Sequence, residues 1–214
     1  MILYDWNEEL CRNYATGLRP MVPFDHRPWA KRIAREIGPV SDKVLVDVAT
    51  GPGFLLVELG KLLPGATLIG TDQAGPMLPI AQQEARRASL VLRTEHCPAE
   101  RLPLADGEAD VVTCKQLLHE AADVAAVLRE AARVLKPGGR LFLVDFDATG
   151  SRLAALVVRA LLTLVRGRLI GRSFWRSFNA GLPGARVRDM VLEAGFRRAE
   201  YHRAAFDYFI VATR

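Results

Sequence analysis

An apolar run, Val44-Leu45-Val46-Asp47-Val48, leads directly into Ala49-Thr50-Gly51-Pro52-Gly53. The run has the β-branched make-up of a strand buried on both faces. Phe54 to Leu63 follows with helical spacing, so the turn falls between a strand and a helix N-terminus. Glycines there let backbone N–H groups approach a ligand where the helix dipole carries partial positive charge. Nineteen residues past Gly53 stands Asp72, closing a second apolar run, Thr67 to Gly70. An acid at that place can accept hydrogen bonds from both hydroxyls of a ribose. Taken alone, the turn is equally an ordinary strand end followed by a solvated aspartate, since short motifs carry real false-positive risk.

The chemistry can be narrowed further. A dinucleotide fingerprint is G-x-G-x-x-G, whereas this turn reads Gly51-Pro52-Gly53-Phe54-Leu55-Leu56 and lacks the third glycine. Asp47 also precedes it, and a carboxylate would repel a pyrophosphate but attract an ammonium. A nucleoside carrying an amino acid and no phosphate suits the pattern better. S-adenosylmethionine has that constitution.

Strands alternating with helices must position these residues. Tyr4, Trp6, Leu10 and Tyr14 lie at roughly helical spacing, and Asp25 with Pro28 reads as the N-cap and first turn of a second helix carrying Trp29, Ile33 and Ile37. This pair either covers the nucleoside pocket or packs on the sheet edge. Further along, the pattern predicts a helix over 76–89, a short strand Leu90-Val91-Leu92, a proline-rich loop from Cys97 to Leu104 and a strand over 109–114. An amphipathic helix over 123–135 and a strand within 140–146 complete the core. A helix over 185–195 and two strands near 200–204 and 208–212 close the chain. The reading is an α/β, doubly wound, mostly parallel sheet with a closing antiparallel hairpin. As a single domain, 1–214 divides into a helical cap (1–40), a cofactor-binding core (41–146), a basic apolar helical insertion (147–184) and a last helix and hairpin (185–214). Ligands in such sheets sit beyond the carboxyl ends of the strands. Asp47, Gly51, Gly53, Asp72, Ala99, Glu100 and Lys115 all fall there.

Composition sets bounds on function. The chain has 214 residues, half of them hydrophobic and a quarter charged, as in a soluble globular protein. Its three cysteines, Cys11, Cys97 and Cys114, are too scattered for a disulfide framework or zinc knuckle, and nothing points to a metal. No signal peptide and no membrane-spanning run is apparent, so a cytoplasmic location is expected. The net charge is +5, yet eight arginines and no acid lie between Asp147 and Asp189, leaving the rest of the chain at about −3.

Residues 44–145 resemble the class I S-adenosylmethionine-dependent methyltransferases. Val44 to Gly53 is similar to the family's first motif. Thr71-Asp72 with Met77-Leu78 is similar to its second strand end. Cys97 to Leu104 resembles the loop G-D-A-E-x-L-P-F, and Leu118-His119 with Arg133-Val134-Leu135-Lys136-Pro137-Gly138-Gly139 resembles the fourth strand end, helix and turn. The resemblance implies that Asp47 and the backbone at Gly51 and Gly53 hold the methionine end of the cofactor. It implies ribose binding by Asp72 and an adenine flanked by Gln73 and Met77, with Ala99 and Glu100 along its edge. The backbone of Lys115 would face the methyl-bearing end. Two positions depart: the family's first glycine is Ala49, and its adenine-binding aspartate falls at Pro98.

The acceptor is less constrained. A sulfonium is already an activated donor, so positioning and desolvation do much of the work, and a base is needed only where the acceptor loses a proton. His119 suits that role; a packed or solvated histidine is the alternative. Its position also resembles a histidine that pairs with an N-terminal tyrosine in phosphoethanolamine methyltransferases, for which Tyr4 and Tyr14 are the available partners. Nucleic acid is disfavoured: Lys115-Gln116-Leu117-Leu118 is not an Asn/Asp-Pro-Pro-Tyr/Phe motif, and aromatic interleaving is lacking. Within 152–176, Arg152, Arg159 and Arg166 share one helical stripe amid leucines and valines. This segment suits an anionic membrane surface, the lining of a pocket for an amphiphile, or a lid packed on the core or a second subunit. The expectation is methyl transfer to a small or lipid acceptor. Phosphatidylethanolamine is the favoured case; a soluble or quinone-like metabolite, or a non-methylating cofactor-binding protein, is the alternative.

Overall fold

The computed structural model describes residues 6–38 and 42–214. Seven strands form one sheet: β1 (Val44–Val48), β2 (Thr67–Asp72), β3 (Leu92–His96), β4 (Ala109–Lys115), β5 (Leu135–Phe146), β6 (Arg198–Arg203) and β7 (Asp207–Thr213). Their order is β3-β2-β1-β4-β5-β7-β6. β7 runs antiparallel to both β5 and β6, and the other four pairings are parallel. The strand order reverses between β1 and β4, which opens a crevice at their carboxyl ends.

Alternation along β1 builds both apolar layers. Leu45 joins one layer with Leu56, Leu59, Ala81, Ala85 and Phe142. This layer lies under α2 (His26–Ile37), α3 (Phe54–Leu62) and α4 (Met77–Arg87). Val46 and Val48 join the other with Val112, Leu128, Leu141 and Val187, under α5 (Val124–Val134) and α8 (Gly184–Glu193). Because α/β strands are covered on both faces, β1 reads as a continuous hydrophobic run, and a charge within it must find buried partners.

Several elements differ from the sequence reading. The first helix, α1, spans Glu8–Leu18 and is capped by Asn7, whose side chain accepts from Leu10 N. Trp6 lies before that cap and packs edge-on against Tyr14, with centroids 5.1 Å apart; Tyr4 lies outside the described residues. Asp25 precedes α2 but makes no side-chain cap, because its carboxylate is held by Lys115 instead. The third strand is not Leu90–Leu92 but Leu92–His96. Leu90 N still bonds back to Ala85 O, Val91 is 90% exposed, and pairing with β2 begins only at Leu92. As an edge strand with exposed and half-buried positions, β3 could be polar and so escaped a hydrophobicity pattern. The Lys136–Gly139 turn is counted within β5, which begins at Leu135.

The basic segment is two helices, α6 (Arg152–Arg166) and α7 (Arg168–Ala180), folded back on each other at Gly167. Thr163 meets Gly171 and Arg159 lies over the Trp175 ring, which sets them antiparallel. Asp147, fully buried, closes the base of this hairpin: it accepts from Thr149 N, Thr149 Oγ1 and Tyr201 OH. None of the described helices is long and apolar enough to cross a membrane.

Ala49 sits at φ +56°, in the left-handed region that an L-residue enters at a cost of about 1–2 kcal/mol. The substitution Ala49→Gly is therefore expected to stabilise the fold by up to about 1 kcal/mol, after the entropy of glycine is subtracted. Gly53 also lies at positive φ, and a Cβ there would come within 2.9 Å of Ala81 Cβ in α4. Gly53→Ala is expected to cost about 2 kcal/mol or more. Urea denaturation of both variants measures these opposite signs.

Candidate active site

At the switch point the turn after β1, the end of β2, the loop after β3 and the end of β4 enclose a cavity of about 160 Å³. Asp47, Ala49, Gly51, Asp72, Gln73, Met77, Ala99, Glu100 and Lys115 all line it. Gly53 is not among the lining residues; it is the N-cap of α3 and lets α4 approach the turn. Trp6, Tyr14 and Leu18 supply a wall from α1 and its approach, so the N-terminal helix covers the pocket as well as packing on α4.

Besides Asp147, three buried carboxylates stand at or near strand ends. Asp47 accepts from Thr50 Oγ1 at 2.8 Å and from Thr113 Oγ1 on β4 at 2.6 Å. Burial pushes its carboxyl up to about 6, against the pull of those two hydroxyls. Asp72 accepts from Gly51 N and Ala74 N, each at 2.8 Å, and so ties the end of β2 to the glycine turn. Burial raises its pKa as well, against both backbone donors. Each of its oxygens keeps a second lone pair for a further donor. Asp145, on β5, accepts from Leu118 N at 2.7 Å and His119 N at 3.3 Å.

Asp145 Oδ1 also lies 2.6 Å from His119 Nδ1. Burial lowers the imidazole pKa, but the Asp145 charge and hydrogen bond, aided by Glu120, outweigh it and hold His119 above its ordinary value. The pairing assigns the Nδ1 proton toward Asp145, leaving Nε2 able to accept. Nε2 lies 3.7 Å from Glu120 Oε1.

His119 opens on a second, larger chamber of about 510 Å³. Its apolar walls come from α1–α2 (Met21, Phe24, Trp29), from Phe146, from α6–α7 (Val158, Leu162, Ile170, Phe174) and from Phe206. Trp6, Tyr14, Leu18, Gln116 and Glu120 line both spaces, so the two are adjacent. Gln116 holds this junction at φ +57°.

The polar side of the chamber was largely invisible in the sequence. Lys115 was expected to present its backbone; its side chain is also used, donating to Asp25 Oδ2 at 2.9 Å. Burial opposes charge on Asp25, yet Lys115 keeps its carboxyl below the usual range. Asp207 is pushed up to about 7 by burial, against Lys115. His26 lines the cofactor-side cavity, and burial with Lys115 drives it down to about 3, so it is neutral. Asp145 carried the same signal as Asp47, an acid inside an apolar strand; Asp25 signalled only a helix cap, and Asp207 carried no signal.

The chain is similar to known proteins in sequence and in fold. A model described as "Methyltransferase domain" matches residues 46–143. A demethylmenaquinone methyltransferase of Thermus thermophilus is 36% identical over 149 residues, covering 68% of each chain. Another, from Deinococcus radiodurans, is 37% identical over 143 residues, 67% of this chain and 59% of the relative. The aligned region thus spans somewhat over half to two thirds of these relatives. A crystal structure of a SAM-dependent methyltransferase from Aquifex aeolicus shares the fold, with TM-score 0.72, 18% identity and coverage of 97% and 98%. The chain belongs to the class I S-adenosylmethionine-dependent methyltransferases, an enzyme family whose cofactor is S-adenosylmethionine.

The Asp47 charge carries a stability consequence. Its folded pKa, about 6, exceeds the ordinary value of 3.8, so ionisation favours the unfolded chain. The penalty is absent below the ordinary value, grows between the two, and reaches about 3 kcal/mol above the folded one. Asp47→Asn is expected to raise the melting temperature of cofactor-free protein at pH 7.5, with the gain fading as pH falls from 6 to 4. Calorimetric scans across that range measure it.

Proposed function

We propose that the chain methylates an apolar aromatic acceptor bearing an acidic hydroxyl, a quinol-type ring akin to the substrate named in its demethylmenaquinone methyltransferase relatives. One observation carries the reading. The buried His119–Asp145 pair stands beside the junction of the cofactor-side cavity and a chamber walled by aromatic rings.

The donor set fits S-adenosylmethionine. The Asp47 carboxylate, costly when buried alone, suits an ammonium. Asp72, fixed by two backbone donors, suits the ribose hydroxyls through its remaining lone pairs. Gln73, Met77, Ala99 and Glu100 all line the cavity, and in this reading they flank the adenine, while the backbone at Gly51 and Lys115 meets the methionine end. When bound, the cofactor supplies an activated methyl group on a sulfonium.

The acceptor's proton is the chain's own task. A hydroxyl-bearing ring becomes a competent nucleophile, at oxygen or at a ring carbon, as that proton leaves. His119 Nε2 takes it, Asp145 fixes the tautomer and stabilises the imidazolium, and Glu120 adds a second carboxylate nearby. Tyr14 lines both spaces, and in this reading it orients the ring. The aromatic walls favour a flat ring through offset stacking and edge contacts.

These features weigh against the phosphatidylethanolamine expected from sequence. The titratable groups lining the chamber are Asp25, His119, Glu120, Asp207 and Tyr14, with no lysine or arginine among the described lining residues. A lipid phosphate there would meet carboxylates. The deciding assay offers purified protein S-adenosylmethionine with either a reduced, prenylated naphthoquinone lacking its ring methyl or phosphatidylethanolamine in detergent. Mass spectrometry then reads the products. Methylated quinol is expected; methylated lipid amine with unchanged quinol would reverse the assignment.

His119→Gln is expected to lower kcat by about 10²–10⁴-fold with cofactor affinity nearly unchanged. A base must be unprotonated, so the wild-type rate should rise with pH through a midpoint above the ordinary histidine value of about 6.5. Asp145→Asn removes the group that raises it, so its midpoint should move to lower pH. A midpoint unmoved in that variant would exclude His119 as the base.

A further inference from the structure

The two faces of α6 differ in what they meet. Val158 and Leu162 line the acceptor chamber, and Ala155 is fully buried against Phe146 and Phe178. The opposite face is also apolar. Leu153, Val157, Leu161, Leu164 and Val165 recur at helical spacing and are all exposed, Leu153 by 73% and Leu164 by 83%. Such a continuous exposed stripe is rare on a protein surface without a partner. At 15 residues the helix is about 22 Å long, too short to span a bilayer but suited to lie in its interface.

Charge identifies the partner. Exposed Arg152 and Arg168 bracket the stripe at its two ends, and exposed Arg172 follows on α7. The sequence holds no aspartate or glutamate between Asp147 and Asp189. A second copy packed on this face would bring arginines together without local acids, whereas an anionic lipid surface offers both the apolar layer and the countercharge.

We infer that the outer face of α6, with its flanking arginines, docks this protein on an anionic bilayer. The same helix then lies between lipid and the acceptor chamber, with Val158 and Leu162 of its inner face lining the chamber. A greasy acceptor can pass from bilayer to chamber along it without crossing water. The docking surface is independent of the reaction; the delivery of acceptor rests on the methyl-transfer reading above.

The test is flotation with vesicles of equal parts phosphatidylglycerol and phosphatidylcholine, and with phosphatidylcholine alone, at low and high salt. The wild type is expected to float with the first, weakly or not at all with the second, and less at high salt. Each of Arg152→Gln and Arg168→Gln should weaken binding about fivefold. The pair Val157→Asp with Leu164→Asp should weaken it more than tenfold, with unchanged circular dichroism and cofactor binding as the check on folding. His119→Gln should float like the wild type, which separates docking from chemistry. Absence of binding to anionic vesicles at low salt would overturn the inference, as would equal binding by the Val157/Leu164 variant. A wild-type dimer in sedimentation equilibrium that this variant abolishes would assign the face to a second copy instead.

Discussion

A carboxylate buried between two hydroxyls underlies the cofactor-side cavity. Asp47 bonds Thr50 in the turn and Thr113 on the next strand, so it fixes the turn after β1 relative to the end of β4 across the crevice. The arrangement is expensive: taking a charge out of water raises the pKa and opposes folding at neutral pH. A fold tolerates such a group where a ligand cation can offset it, which is the logic of a preorganised binding site. The strained left-handed backbone at Ala49 and Gln116 on either side of the same crevice belongs to the same pattern.

Charge is sorted by position. Inside, carboxylates predominate: Asp47 and Asp72 line the cofactor-side cavity, Asp25 and Asp207 line the chamber, and Asp145 stands behind His119. Outside, Arg152, Arg168, Arg172 and Arg176 of α6 and α7 are exposed, in a segment whose sequence holds no acid. The overall basicity thus describes neither the pocket nor its ligand. It reports the α6–α7 segment, while the acids Asp47, Asp72, Asp25 and Asp207 line the two cavities.

The sequence had already shown the sheet, its parallel core and the turn, because strands buried on both faces read as apolar runs and a glycine turn has local chemistry. Asp47, Gly51, Asp72, Ala99, Glu100 and Lys115 could be put at strand ends from the pattern alone, and the family resemblance added Gln73 and Met77. The third strand was misplaced because an edge strand need not be hydrophobic. Asp25 read as a helix cap because the N-cap preference is local, and its actual partner, Lys115, is 90 residues away.

Sequence by itself determined the class of fold, the cofactor and the candidate base, since each depends on residues close together in the chain. Tertiary structure alone decided how His119 is tuned, through an aspartate 26 residues later on β5. It alone showed that α1, α2, α6 and α7 enclose one chamber, and that α6 is apolar on both sides. Periodicity reveals a helix's apolar arc but not which part meets protein and which meets solvent, because that depends on the neighbours against which the chain has folded.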